Sequence, residues 1–148
     1  MNTDQVMALC DQVRETAYAI HKFHGNGYLE KVYENALVHR LKKAGLDVKQ
    51  QHQLIIYDED GTEIGEYYAD LFIENELIVE LKACKAIANE HYAQLLHYLK
   101  GSRKEHGLLI NFGSYKFQIR KFAKTDRAKT PPRILPSFIF ALFAFLCG

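Results

Sequence analysis

The sequence contains few cysteines, and they are poorly placed for the sites that cysteines usually build. The three residues Cys10, Cys84 and Cys147 are odd in number, far apart and without a C-x-x-C pair. Disulfide frameworks and zinc knuckles need paired or closely spaced cysteines. The sequence therefore argues against both, and a reducing, cytoplasmic location is expected.

The start of the sequence does not resemble a secretory signal, and several familiar enzyme motifs do not occur in the sequence. Its start, MNTDQVMALCDQV, contains acidic residues and no cationic segment followed by an apolar run. Neither the G-x-S-x-G motif of serine hydrolases nor the G-x-x-x-x-G-K-[ST] motif of P-loop proteins occurs. The segment GNGYLE follows a helical pattern and has Glu30 where a dinucleotide loop needs its last glycine, so no organic cofactor is predicted. With a net charge of only +1, bulk charge identifies no partner, and any nucleic-acid prediction must come from a site.

Helical and strand periodicities do alternate along the chain. Apolar residues recur at helical spacing from Val6 to about Phe23, from Tyr28 to Ala44, and again after Asn89. The segments VKQQHQLIIY, EIGEYYADLFI and LIVELKA have strand composition, and GLLINF and YKFQIRKF form a last hairpin around a short GS turn. The 148 residues suit one domain. We predict a mixed α/β (α+β) fold of order ααβββαββ, with helices packed on a mixed sheet.

The end of the chain differs from the rest. Residues 123–136 are polar and proline-rich, as in a linker, and Phe138 to Cys147 form a short apolar run. A helical bilayer crossing needs about 20 residues, so no stable membrane span is expected. The run could be an appended helix that covers an apolar patch, a disordered or non-native extension, or a weak anchor to a membrane or partner.

The stretch ADLFIENELIVELKA, from Ala69 to Ala83, places three charges in an otherwise apolar run. A hairpin that turns at Asn75 pairs residues equally distant from it, so Asp70 faces Glu80. Side chains alternate between the two faces of such a hairpin. We expect an apolar face of Ala69, Leu71, Ile73, Leu77, Val79 and Leu81, and a charged face of Tyr68, Asp70, Phe72, Ile78, Glu80 and Lys82.

Two opposed carboxylates, about 5 Å apart at Cβ, repel each other, and burial raises their pKa values unless a cation neutralises them. Mg²⁺ can take one oxygen from each and still hold water and a phosphate oxygen. Lys82 could then stabilise an attacking hydroxide or the charge that develops on the phosphate. The alternative is an exposed strand face with a cross-strand salt bridge. The tripeptide pattern alone is weak, because Asp47-Val48-Lys49 has the same form without an opposed acid.

A glycine, a glutamate and a tyrosine at Gly27, Glu30 and Tyr33 precede this hairpin, and EHYAQLLHYLK and GLLINFGS follow it. In this order the segments closely resemble the bacterial and archaeal GxxExxY proteins, a branch of the PD-(D/E)xK nuclease-like superfamily. The resemblance runs from about Ala8 to Phe122, and the tail has no counterpart in it. It implies a restriction-endonuclease-like domain over residues 1–122, followed by a tail over residues 123–148.

The resemblance also implies a site. Asp70 is the first acid of the motif, Glu80 and Lys82 are its E-x-K, and Glu30 is the acid on a helix that often completes such sites. Asp70, Glu80 and Glu30 would hold Mg²⁺ or Mn²⁺, directly or through water. By itself, Glu30 could equally be a solvated helix residue.

Three further residues are assigned to substrate binding. Gln94 and Tyr98 lie one helical turn apart, and in related nucleases a glutamine here approaches the site or the substrate backbone. Ordinary helix packing explains this pair equally well. The hydroxyl of Tyr33 could bond a phosphate or a carboxylate, whereas its ring is typical of a core aromatic.

The sequence thus predicts a Mg²⁺-dependent nuclease that hydrolyses phosphodiester bonds in DNA or RNA, with catalysis by Asp70, Glu80, Lys82 and Glu30. The rival is a non-catalytic module that keeps the fold and binds nucleic acid or a protein. A third hypothesis is a structural protein docked through its apolar tail. Whether the chain forms a homodimer is left open.

Overall fold

The structure, a computed structural model, describes residues 1–123. The eight elements follow the predicted order ααβββαββ. They are α1 Thr3–His24, α2 Glu30–Lys43, β1 Val48–Tyr57, β2 Glu63–Ile73, β3 Leu77–Lys82, α3 Asn89–Gly101, β4 His106–Asn111 and β5 Gln118–Ala123. The mixed α/β fold, a five-stranded sheet flanked by helices, is therefore confirmed.

The first helix is set by its ends and its apolar stripe. The Asn2 side chain accepts a hydrogen bond from the Gln5 N–H, and the Gln5 side chain accepts one from the Asn2 N–H. This reciprocal cap satisfies backbone donors that a helix start leaves free. The helix ends at Gly25, whose φ of 74° suits glycine.

The second helix begins at Glu30, two residues later than the pattern predicted. Leu29 is its N-cap in an extended conformation, without a side-chain cap bond. The Tyr28 N–H is instead taken up by the Tyr33 hydroxyl, so Tyr28 belongs to the preceding loop. The late start places Glu30 in the first helical turn, where a carboxylate interacts favourably with the helix dipole.

The strands lie in the spatial order β1-β2-β3-β4-β5. Neighbours pair antiparallel except β3 and β4, which are parallel and connected through α3. In the second hairpin Ile73 pairs with Leu77, and Leu71 with Val79. The register predicted from a turn at Asn75 is therefore confirmed over these pairs.

Two hydrophobic clusters cover the two faces of the sheet. The larger one packs α1 and α2 against Leu71, Ile73, Val79 and other strand residues. The smaller one packs α3 against a second set of strand residues. Ala69 belongs to this second cluster, with Phe72 and Ile78, so its predicted position beside Leu71 is wrong.

The error at Ala69 has a local cause. Regular alternation would put Ala69 and Leu71 on one face. Gln51, which lies opposite this point on β1, has a φ of 50° and is omitted from the pairing of β1 with β2. Asp70 is omitted as well, while the register on both sides stays the same, so the regular alternation of extended backbone is interrupted at this point. The face of β2 therefore changes at Asp70.

The last hairpin is wider than the predicted two-residue turn. β5 begins at Gln118 rather than near Tyr115, because residues 112–117 form an irregular loop. His21 bonds the carbonyl of Ser114 through Nε2, and the Ser114 hydroxyl donates to the carbonyl of Lys116. These contacts use backbone groups that a longer strand would have paired.

The predicted linker and apolar run after Ala123 lie outside the described residues, and the domain boundary stays a prediction. Among residues 1–123 no helix is long and apolar enough to cross a membrane.

Candidate metal-dependent nuclease site

The candidate site lies where β2 and β3 separate. Their backbone pairing ends at Leu71 and Val79. Beyond that pair, the Asp70 N–H donates to Glu80 Oε1 at 3.2 Å, and the Leu81 N–H donates to Asp70 Oδ2 at 2.8 Å. The two carboxylates thus replace backbone carbonyls as acceptors. The predicted opposition of Asp70 and Glu80 is therefore present, at the open end of the hairpin.

Burial and proximity act together on Glu80. Desolvation, followed by the charge of Asp70, raises the pKa of Glu80 to about 8 from its ordinary 4.5. Hydrogen bonds from the Tyr67 hydroxyl and the Asp70 N–H oppose this shift, but they are the weaker influence. The fold therefore places an acid where its ionised form is costly without a neighbouring cation.

Lys82 extends from the end of β3 on the same side as Glu80. Burial raises the pKa of Glu30, and the Lys82 charge opposes that rise. Burial lowers the pKa of His91, and the Lys82 charge lowers it further. The ammonium group therefore lies close enough to act on α2 and on the start of α3. The backbone here is held from β4, since the Lys82 carbonyl accepts from the Phe112 N–H at 2.8 Å.

The loop after β4 fixes this strand end further. The Asn111 side chain is fully buried and accepts from the N–H groups of Cys84 and Gly113, while its amide donates to the Cys84 carbonyl and to Gln118. A Cβ on Gly113 would lie 2.2 Å from the Cys84 nitrogen. Because no side chain fits there, glycine lets the loop pack directly on the backbone that follows Lys82.

Glu30 lies in the first turn of α2 and is electrostatically coupled to the hairpin. Burial raises the pKa of Glu30, the Asp70 and Glu34 charges raise it further, and Lys82 opposes them. Asp70 and Glu80 thus lie together, and Glu30 interacts electrostatically with Asp70 and Lys82. Among residues 1–123, however, Glu30 is not grouped with the two carboxylates closely enough for all three to hold one metal ion.

Gln51, on β1, connects an acid on α2 to the acid on β2. Gln51 Nε2 donates to Glu34 Oε1 at 2.6 Å and to Asp70 Oδ1 at 3.1 Å. The Glu34 side chain is only 3% exposed and also accepts from Lys31 and Gln50. The buried Glu34 carboxylate thus holds the Gln51 side chain by a hydrogen bond, and Gln51 in turn orients Asp70.

A pair of tyrosines holds Glu80 from the α3 side. The Tyr67 hydroxyl donates to Glu80 Oε1, and the Tyr67 ring stacks on Tyr98. Burial and the Glu80 charge raise the pKa of Tyr67, so its hydroxyl stays protonated as a donor. Gln94 donates to the Tyr98 hydroxyl at 2.9 Å. Gln94 and Tyr98 therefore connect to the site through Tyr67.

Tyr33 is placed differently. Its ring is buried and stacks on Phe112, with centroids 4.7 Å apart. Its hydroxyl donates to the Gly25 carbonyl at 2.6 Å and accepts from the Tyr28 N–H. The structure does not bring Tyr33 to the carboxylates; it joins the two ends of the loop before α2.

Three residues at or near the site were not predicted from the sequence. Tyr67 lies three residues before Asp70, which in a regular strand puts the two side chains on opposite faces. The change of face at Asp70 removes that separation. Gln51 carried no signal, because its role depends on the same irregularity. His91, at the start of α3, is close enough to Lys82 for the lysine charge to lower its pKa, after the larger effect of burial.

The donor set at Asp70 and Glu80 suits a hard cation. Both contribute carboxylate oxygens, and Mg²⁺ commonly uses one or two carboxylates and completes its shell with water and phosphate oxygens. Among residues 1–123 no three His, Cys, Asp or Glu side chains are grouped closely enough to form a cage. Any cation here would therefore rest on few protein ligands, as Mg²⁺ sites often do.

A comparison with known families decides the wider relationship. The family model of the PD-(D/E)XK nuclease superfamily matches residues 7–122. The chain belongs to this superfamily. PD-(D/E)XK nucleases typically use divalent metals, and superfamily membership suggests nuclease-like function and nucleic-acid binding.

The fold has a counterpart among solved structures. The crystal structure of a protein named SSO0001 matches with a TM-score of 0.52 at 16% sequence identity, over 74% of this chain. The match covers 56% of SSO0001, so this chain spans little more than half of that protein. At this identity the likeness shows a shared fold alone. No curated protein matches the chain.

Proposed function

We propose that this chain is a Mg²⁺- or Mn²⁺-dependent nuclease of the GxxExxY branch that hydrolyses phosphodiester bonds in nucleic acid. The observation that carries the proposal is the pair of carboxylates in the gap between β2 and β3, where the pKa of Glu80 is raised to about 8. On β2 and β3, the strands that carry these two carboxylates, Lys82 is the single lysine or arginine. A bound divalent ion would remove this electrostatic cost.

In this proposal Asp70 and Glu80 would hold the cation through their carboxylates, and Glu30 would assist directly or through water. A bound ion would supply Lewis-acid activation of water and of the scissile phosphate. Gln51 orients Asp70, and Tyr67 orients Glu80, which keeps both carboxylates fixed during the reaction.

Lys82 assists the attack of water on phosphorus. Its charge acts on Glu30, and in this proposal the ammonium group hydrogen-bonds the water or the phosphate oxygens as negative charge develops. Water forms the new P–O bond, the bond to the leaving sugar oxygen breaks, and that oxygen takes up a proton. Gln94 and Tyr98 contact the substrate backbone from the exposed side of α3.

The cytoplasm remains the expected location, on the evidence of the cysteines. Sedimentation of the purified chain would test whether it forms a homodimer.

Cleavage by purified protein tests the proposal. With Mg²⁺ or Mn²⁺, the full chain should cut at least one of single-stranded DNA, double-stranded DNA and RNA. Asp70→Asn, which keeps the shape and one acceptor oxygen, should lose at least about a hundredfold in rate because catalytic metal sites depend on carboxylate charge.

Asp47→Asn is the matched control, because Asp47 belongs to the D-x-K tripeptide that is remote from the carboxylate pair. Its rate should equal that of the parent. Equal rates for Asp70→Asn and the parent would refute the proposed site. Binding without cleavage of any substrate would favour the non-catalytic module.

A further inference from the structure

A second feature lies on the outer side of α2, away from the carboxylates. A surface cavity of about 560 Å³ is lined by His24, Ala36, His39, Arg40 and Lys43. Its volume is in the range of ligand-binding pockets. None of the lining residues is acidic, and none is among the four proposed catalytic residues. The cavity is therefore a separate basic site.

The helix presents these groups on one face. Ala36, His39, Arg40 and Lys43 follow the spacing i, i+3, i+4 and i+7, which aligns side chains along one side of a helix. Within residues 1–123 the ion pairs involve Arg14, Lys31 and His106. The cations of Arg40 and Lys43 are thus not neutralised by a carboxylate in the described part of the chain, and an anion could neutralise them.

Exposed aromatic rings flank the cavity. The His24 ring contacts Phe23 at 4.8 Å and Tyr28 at 5.4 Å between centroids. Phe23 is 78% exposed and Tyr28 is 47% exposed. Aromatic surfaces beside cations are the combination that binds single-stranded nucleic acid, because bases stack on the rings and phosphates meet the charges.

The cavity shares helix α2 with Glu30 of the candidate nuclease site. Leu29 and Val32 are exposed and lie on either side of Glu30 in sequence. A helix rises about 1.5 Å per residue, so Arg40 lies roughly 15 Å along the axis from Glu30. A strand that passes the carboxylates could therefore reach the cavity within a few nucleotides.

We propose that this surface, formed by Phe23, His24, Tyr28, His39, Arg40 and Lys43, binds a single-stranded segment of nucleic acid. Arg40 and Lys43 hold a backbone phosphate in the cavity, and Tyr28 and Phe23 stack against neighbouring bases. The inference rests on the proposed function, since it assigns a substrate class to that nuclease. It adds that part of the substrate is unpaired.

Binding of a fluorescent 20-nucleotide oligothymidine to the Asp70→Asn protein without metal tests the charges. Arg40→Ala/Lys43→Ala should weaken binding about tenfold at low salt and reduce the slope of log K against log salt by about 0.7, because the double variant loses one phosphate contact and each contact contributes about 0.7 for a single strand. Lys42→Ala is the control, since Lys42 is an exposed cation of α2 outside the cavity. It should change affinity less than twofold.

Replacement of Tyr28 tests the stacking. Tyr28→Ala should weaken binding of the oligothymidine by about fivefold or more, and Tyr28→Phe should retain affinity because the ring remains. Binding of a 20-base-pair duplex should be equal in both variants, since paired bases are not free to stack. Both variants keep the backbone N–H of residue 28, which donates to the Tyr33 hydroxyl.

The outcomes separate this inference from the nuclease proposal. If the parent protein cleaves nucleic acid but the cavity variants bind oligothymidine as tightly as Lys42→Ala does, the inference is wrong and the nuclease proposal stands. If the parent cleaves nothing, yet binding depends on Arg40, Lys43 and Tyr28, the surface stands and the catalytic proposal falls. Occupation of this face by residues 124–148 or by a second copy would leave oligothymidine affinity unchanged in the variants, which also overturns the inference.

Discussion

The two ends of the β2–β3 hairpin have opposite chemistry. At the turn end, Ile73 and Leu77 pair through the backbone and are fully buried among apolar side chains. At the open end, the carboxylates of Asp70 and Glu80, rather than backbone carbonyls, accept hydrogen bonds from the backbone N–H groups of the facing strand. One end is stabilised by burial, whereas the other keeps a costly pair of charges in place. We infer that burial of the apolar residues near the turn stabilises the hairpin enough to tolerate two repelling carboxylates a few residues away.

The turn end should carry the larger share of stability. Leu77→Ala removes a fully buried side chain and should lower the free energy of unfolding by about 2–5 kcal/mol. Urea denaturation followed by circular dichroism measures this. Leu96→Ala, at a position 40% exposed, is the control and should cost much less. A similar cost for both variants would contradict the comparison.

The open end should respond to pH. Because the pKa of Glu80 is about 8 in the folded protein and 4.5 in its ordinary state, the folded state binds more protons between those values. The free energy of unfolding should therefore fall as pH rises through this window, by up to about 1.4 kcal/mol per pH unit from this residue. Thermal or urea unfolding from pH 5 to pH 9 measures the slope.

Glu80→Gln is the control for the pH effect, since it removes the titrating group and keeps the size. It should flatten this part of the profile and be more stable than the parent at pH 9. Mg²⁺ should recover stability in the parent but not in the variant. An unchanged slope in Glu80→Gln would show that Glu80 is not the strained group.

The smallest effect is expected where Gln51 supports Asp70. Gln51→Ala removes one donor to Asp70 and one to Glu34 and should cost about 1 kcal/mol of stability. Mg²⁺ affinity by calorimetry should fall about tenfold, as for other residues that orient a ligand. Gln53→Ala is the matched control, since Gln53 bonds Glu66 on the exposed part of the same hairpin. An equal loss of Mg²⁺ affinity in Gln51→Ala and Gln53→Ala would show that Gln51 has no specific role at the site.

Much of this arrangement could be predicted from local patterns. The element order followed from hydrophobic period, and the hairpin register followed from one turn, so Asp70, Glu80 and Lys82 could be placed together without coordinates. Glu30 came from the family resemblance, and the fold then placed it near Asp70.

What could not be predicted depends on one irregular position. The positive φ at Gln51 changes which face of β2 each residue occupies. Neither the amino acid type nor the alternation indicates this, because glutamine rarely adopts such a conformation. Tyr67, Ala69 and Gln51 were misplaced or overlooked for that reason. Tyr33 was ambiguous for a different reason. The sequence does not indicate whether a tyrosine hydroxyl binds a substrate or a backbone group of a nearby loop.

The four hydrogen bonds of Asn111 also restrict how this protein can change over evolution. A carboxamide offers two donor and two acceptor positions, and every one is used at a residue with no exposed surface. Aspartate would lose both donors, and leucine would lose all four contacts. Position 111 should therefore tolerate almost no replacement among relatives that keep this strand end, whereas its neighbour Tyr115, 88% exposed, is free to drift.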